Sequence, residues 1–176
     1  MSDLEKKLDI IEKCIKEGQF GRAGSLIDRI KINEISRRDS LRASNLSRRC
    51  GKVKKSLKIL NPIVRNNHIQ PAATDEEIAD YAFSLHRIGA SFEAENLLSK
   101  VDNRSTVNAL FFRSIIAFSR WEYERALPWL NRYIESPELS DYQKLMGRSN
   151  RIGVYLFTQD FEMAMGEVED LLQTAQ

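Results

Sequence analysis

No stretch of this chain approaches the ~20 consecutive apolar residues that a membrane-spanning helix needs, so no span is expected. The opening segment, Met1-Ser2-Asp3-Leu4-Glu5-Lys6-Lys7, is charged and has no apolar signal-peptide core. There are only two cysteines, Cys14 and Cys50, on helices of different repeats. Two reduced thiols and no leader point to a cytoplasmic protein. Asn-Gly and Asp-Gly hairpin signals are missing, as is any sustained apolar–polar alternation, which excludes a sheet and leaves an all-α fold. Chemistry is equally scarce. The two histidines, His68 and His86, have no cysteine, carboxylate or second histidine at metal-ligand spacing, so no metal site is expected. The eight glycines are scattered, with no phosphate-cradling loop among them. Cys14 lies on an apolar face with Ile11 and Ile15, the setting of a packed core thiol rather than a nucleophile. Neither an enzyme nor a cofactor-binding protein is expected.

What the chain does have is a repeat. Gly18-Gln19-Phe20 is followed by Ala23, and Gly51-Lys52-Val53 by Ser56. Gly89-Ala90-Ser91 is followed by Ala94, Trp121-Glu122-Tyr123 by Ala126, and Gln159-Asp160-Phe161 by Ala164. The first residues of these markers are spaced 33, 38, 32 and 38 apart. Periods in this range mean repeated supersecondary units stacked on one another. Between markers the apolar residues step by three and four, as on one helix face: Leu4, Leu8, Ile11, Ile15, then Phe20, Ala23, Ile27, Ile30. Each unit is therefore a helix, a short turn and an antiparallel helix. The small residue early in the second helix lets the two backbones approach, and a large one there would overpack the crossing.

The small-residue turn, the aromatic two positions later (Phe20, Tyr123, Phe161) and the alanine three beyond (Ala23, Ala126, Ala164) resemble the tetratricopeptide repeat (TPR). Residues 121–127 are the nearest match. The resemblance implies one TPR-like domain over residues 1–176, a right-handed superhelix of about five helical hairpins near 4–36, 37–70, 75–106, 107–140 and 145–176. The second unit departs most, with Ser44 and Ser47 in its first helix where apolar residues belong. The longer spacings hold insertions, one around Asn66-Asn67-His68-Ile69-Gln70-Pro71 and one over residues 135–141. Thr74 or Asp75 is the expected cap of the helix that follows the first. Pro62 is expected to end the second unit's second helix. Pro128 falls about one turn into a helix starting near Glu124, where it costs a backbone bond or two.

The net charge of +2 hides an asymmetry. Residues 1–70 hold 17 basic and 8 acidic side chains, and residues 71–176 hold 10 and 17. The excess is densest from Arg37 to Lys58, where nine cations face only Asp39. This is either a solvated polar face or a site for an acidic partner. By the resemblance, the groove positions of unit two are Arg38, Leu41, Asn45, Arg48 and Arg49, and those of unit three are Glu76, Ala79, Phe83, His86 and Arg87. Some family members clamp a C-terminal carboxylate in the groove. Arg38 and Arg42 echo their basic pair, but Leu8 and Glu12 stand where a lysine and an asparagine are required. The leading helix of unit four, residues 107–118, is apolar nearly all round. Leu110, Ser114 and Ala117 match packing positions, which leaves Phe111, Ile115 and Phe118 for the groove. Such a helix is covered on all sides or awaits a partner.

The functional expectation is a non-catalytic adaptor, scaffold or chaperone-like module that binds an extended or helical segment of a partner protein. Arg38, Arg42, Asn45, Arg48, Arg49 and Arg87 would meet acidic groups, and Phe83, Phe111, Ile115 and Phe118 would bury apolar ones. Two alternatives stay open: nucleic-acid binding through the basic second repeat, and homo-oligomeric assembly of basic head on acidic tail. No capping helix is expected after the last repeat. Glu162, Glu167, Glu169 and Asp170 would solvate that end, or it would dock a subunit.

Overall fold

The computed structural model describes residues 2–66, 68, 70–102 and 106–174. Asn67 and Ile69, in the loop expected between the second and third hairpins, lie outside the described residues. Among the described residues there are ten α-helices and no strand. The helices group into two compact units, Met1–Lys100 and Val101–Gln176. The first contains α1 (Asp3–Lys16), α2 (Phe20–Arg29), α3 (Ser40–Arg49), α4 (Val53–Val64), α5 (Asp75–Arg87) and α6 (Ser91–Ser99). The second contains α7 (Asn108–Ser119), α8 (Tyr123–Ile134), α9 (Asp141–Phe157) and α10 (Phe161–Thr174). Odd and even helices pair into five hairpins, at the positions the repeat markers imply.

One local structure builds every hairpin. After α1, the Gly18 amide bonds the Ile15 carbonyl and the Gln19 amide bonds the Cys14 carbonyl, the paired closure of a Schellman cap. The same pair of bonds recurs at Gly51 and Lys52, Gly89 and Ala90, Trp121 and Glu122, and Gln159 and Asp160. The central residue must be left-handed, and the five have φ of 73°, 77°, 92°, 64° and 62°. These are the five residues that mark the repeat in sequence. The turn then leads directly into the second helix, and α2, α4, α6 and α8 start without a side-chain cap. Three of the first helices are capped instead, while α3 and α7 also start without a side-chain cap. Ser2 with Glu5, Thr74 with Glu77 and Ser140 with Gln143 form capping boxes on α1, α5 and α9. Thr74, not Asp75, is therefore the cap of α5.

The small positions lie at the crossings as expected: Ala23, Ser56, Ala94, Ala126 and Ala164 are all buried. In the first unit Leu8, Ile11, Cys14 and Ile15 of α1 close on Ala23 and Ile27 of α2, and on Ala43 and Leu46 of α3. Complete burial of one such Leu or Ile contributes roughly 1.5–3 kcal/mol. In the second unit Ala117, Ala126, Leu130 and Val154 form one cluster, and Leu110, Tyr133 and Leu139 another.

Four details differ from the sequence reading. Pro62 does not end α4 but lies inside it, two residues before the end at Val64. Its ring suits helical φ, and the bond it cannot make falls on an exposed face with Lys58 and Asn61. Cys50 sits not within a helix but at the C-cap of α3. A short 3-10 turn, Ile32–Glu34, follows α2. The fifth hairpin begins at Asp141, ahead of the expected 145, because Ser140 supplies a cap that the repeat pattern does not show. Pro128 lies within α8, as expected.

Candidate interaction surfaces

In the first unit the cation-rich segment from Arg37 to Lys58 is largely matched by carboxylates from neighbouring hairpins. Arg37, on the approach to α3, donates to the buried Glu77 of α5, with Nη2–Oε2 at 2.6 Å. Arg42 Nη2 donates to Asp9 Oδ1 and Glu12 Oε2 of α1, both at 2.7 Å. That guanidinium holds the Glu12 carboxyl below its ordinary pKa. Lys52 pairs with Asp28. Lys55 donates to the Ile27 and Ile30 carbonyls and so caps the end of α2. Burial of its ammonium lowers its pKa.

Arg48 is the most enclosed of these cations. Its Nη2 and Nε lie 2.7 and 3.1 Å from Asp80 Oδ1, with the two side chains 11% and 4% exposed. Asn45 Nδ2 joins the same oxygen at 3.2 Å, and Ser44 Oγ donates to Oδ2 at 2.8 Å. Ser44 also bonds Ser56, and Ser56 bonds Ser84, each at 2.8 Å. Of the two serines that made the second repeat look anomalous, Ser44 thus belongs to a buried polar network, and Ser47 donates to the Ala43 carbonyl one turn back in its own helix. Buried polar groups are tolerated when every member has a partner. The Arg48 guanidinium sits 5.0 Å over the Phe83 ring, and Phe83 is itself buried and stacked with His86 at 5.9 Å.

Of the expected contact residues in this unit, Arg42, Asn45, Arg48 and Phe83 therefore serve internal packing. The partners of the three polar ones lie 30–35 residues away in sequence. Arg49 and Arg87 are exposed, and so is Arg38, which has only a 3.5 Å contact with Glu5.

In the second unit Leu110, Ser114 and Ala117 are buried, while Phe111, Ile115 and Phe118 are half-buried. Phe111 packs 5.0 Å from Tyr133. Phe118 meets Tyr123 and Phe157 edge-on at 5.4 and 5.6 Å and borders the core. Around it stands an aromatic cluster that the sequence reading did not assemble. Tyr123 and Phe157 stack at 5.1 Å, and Trp121 meets both edge-on at 6.2 Å. Trp121 is 74% exposed and Phe157 55%. The signal was present in sequence as a tryptophan where other repeats place glycine, but Phe157 reaches the cluster only through the pairing of α8 with α9.

The acidic end of the chain also changes. Glu162, Glu169 and Asp170 are exposed, but Glu167 is buried between Arg148 and Arg151 of α9. It holds α10 to α9 and does not solvate the outer face, because arginines at i and i+3 of α9 bracket it. Burial pushes the Tyr133 phenol up to about 12 and lowers the His86 pKa. Among the described residues no group of three or more His, Cys, Asp and Glu is placed to hold a metal. No described helix is long and apolar enough to cross a membrane.

Five helical hairpins closed by one recurrent cap define an all-α helical-repeat protein. No protein-family model matches the chain, and neither does any curated protein sequence. The repeat is TPR-like in fold. A variant crystal structure of a Podosopora anserina protein, assigned as a kinesin light chain with nearly identical TPR-like repeats, aligns at TM-score 0.59 and 13% identity, covering 97% of this chain and 93% of that one. Another crystal structure of that protein aligns at TM-score 0.54 and 13% identity, covering 94% and 92%. Identity this low speaks to the fold.

Proposed function

We propose that this chain is a non-catalytic protein-interaction module, an adaptor or scaffold, that engages a partner segment carrying apolar and acidic side chains. Trp121 is the observation that carries this reading. Its backbone is left-handed at φ 64°, in the turn position that three other hairpins fill with glycine. For a residue with a Cβ that conformation costs roughly 1–2 kcal/mol. The indole recovers little of this by burial, since most of it faces solvent. Strain kept at a largely exposed aromatic points to use of the side chain. Tryptophan and tyrosine are also the residues that most often anchor interfaces. The apolar segment lies on Trp121, Phe157 and Tyr123, with the edge of Phe118 beneath. Separately, on the first unit, the exposed Arg38, Arg49 and Arg87 would meet acidic groups of the partner.

Selection of peptides from a random displayed library tests the proposal. The protein should enrich sequences combining aliphatic or aromatic residues with Asp or Glu. Binding of a selected peptide should shift the emission of Trp121, read in a Trp129→Phe background because the chain has only two tryptophans. Trp121→Gly should weaken such a peptide by at least roughly tenfold while leaving the melting temperature equal or higher, as loss of an anchor at a strained turn does. Selected peptides that bind Trp121→Gly as well as the parent protein would rule the aromatic cluster out.

A further inference from the structure

A cavity of about 730 Å³ opens in the first unit between the segment after α2, the first turn of α4 and the hairpin turn after α5. Lys31, Lys52, Lys54, Lys55, Lys58 and Arg87 border it, against Asp28 as the one carboxylate. Asp28 is already paired with Lys52, and Lys55 is turned onto the carbonyls that end α2. Lys31 reaches only Glu34, at 3.9 Å on the open surface. Lys54, Lys58 and Arg87 have no carboxylate partner among the described residues. Elsewhere in this unit three cations are matched from a neighbouring hairpin: Arg37 by Glu77, Arg42 by Asp9 and Glu12, Arg48 by Asp80. Around this cavity the matching stops. Lys54 and Lys58 stand at i and i+4 of one helix, a like-charge spacing that destabilises it. The first turn of α4 contains no acidic residue of its own to offset the positive end of its dipole.

We propose that this cavity binds a compact polyphosphate group, either free or as the phosphate chain of a nucleotide. Four cations around one small space call for several negative charges within a few ångströms. Linked phosphates provide that density. Carboxylates on an extended peptide do not, since successive residues advance by about 3.3–3.6 Å and point to alternate sides. Lysine binds phosphate as a point charge and needs no planar fork, which suits a site built from lysines. The wall also contains Val53 and the exposed Ile32 and Ile88, an apolar margin against which a nucleotide base would lie. This site shares no residue with the aromatic cluster and only Arg87 with the exposed arginines of the proposed function; Lys54 and Lys58, which its test replaces, belong to the cavity alone.

Isothermal titration calorimetry with inorganic tripolyphosphate and with ATP, in magnesium-free buffer at roughly 0.15 M salt, tests the assignment. Tripolyphosphate should bind the full chain, and Lys54→Glu/Lys58→Glu should weaken it by at least roughly tenfold. Arg22→Glu removes one exposed cation of the same unit outside the cavity and should leave affinity within about threefold of the parent. The double variant without ligand should melt no lower than the parent, since it relieves repulsion. ATP binding tighter than tripolyphosphate by about tenfold assigns the nucleotide, through apolar contact with its base. Equal affinities assign the phosphates alone. No binding of either probe at about millimolar concentration, or equal losses in Arg22→Glu and the double variant, overturns the proposal.

Discussion

Asp80→Ala should be among the most damaging single substitutions in the first unit. The Asp80 carboxylate is 4% exposed and accepts from Arg48 twice, from Asn45 and from Ser44. Alanine deletes the acceptor but leaves the Arg48 guanidinium enclosed at 11% exposure, over Phe83 and without its carboxylate. Removing one partner of a buried pair costs about 3–5 kcal/mol, most of it the desolvation of the charge left behind. At roughly 2–4 °C per kcal/mol for a chain of this size, the melting temperature should fall by roughly 6–20 °C. Urea unfolding followed by far-ultraviolet circular dichroism reads the loss directly. The pair Asp80→Leu/Arg48→Met is the internal control. With no charge left to desolvate it should be more stable than Asp80→Ala, and the double-mutant cycle should report a coupling of more than about 1 kcal/mol. A loss below about 1 kcal/mol for Asp80→Ala would refute the reasoning, since only solvent-screened pairs are worth so little. Arg48 would then be a surface arginine, free to serve a partner as its sequence position implies.

Leu at Ala94, Ala126 or Ala164 should destabilise by roughly 1–3 kcal/mol in chemical denaturation, because each small side chain is buried where two helices cross. Neutral results at all three would mean the crossings are misplaced. Gly147→Ala should cost a similar roughly 1–3 kcal/mol, since a Cβ there would stand 2.8 Å from Ile134 Cγ1 and 3.0 Å from the Tyr133 ring; an unchanged midpoint would show that α8 and α9 separate freely. His86 stacks on Phe83 and shares a 2.9 Å hydrogen bond between Nδ1 and Ser91 Oγ. Its folded pKa is lowered by burial first and by Arg87 next, against a smaller opposing effect of Glu95. The unfolded state therefore binds the proton more tightly. This contribution to stability is complete above the unfolded pKa of about 6.5 and is lost as pH falls from there toward the lower folded value. His86→Gln should flatten the stability profile in that window, and a parent profile already flat there would exclude the effect.

The hairpins were legible because each ends in the same obligatory backbone conformation. Gly18, Gly51 and Gly89 announce a left-handed residue by having no Cβ, and Trp121 and Gln159 could be placed because the spacing pointed to them. The buried alanines were legible for a similar reason, since a helix crossing admits only small side chains. The candidate contact residues were much less legible. Arg42, Asn45 and Arg48 lie on one exposed-looking polar helix in sequence, and nothing local distinguishes them from Arg49. What separates them is the arrival of α1 and α5, which bring Glu12 and Asp80 to them from 30 to 35 residues away.

By itself the sequence determined the helical class, the five turns and the small residues at the crossings, because each depends on contacts within a few residues or on a steric rule that repeats. Only the tertiary structure decided which charges remain available. Ion pairing and burial depend on distances between hairpins, and the Coulomb energy of a pair at 2.7 Å has no signature in the spacing of the residues that form it. The same holds for Ser44 and Ser47, polar by composition and buried by packing, and for Phe157, whose place beside Trp121 follows from which helix α9 packs against.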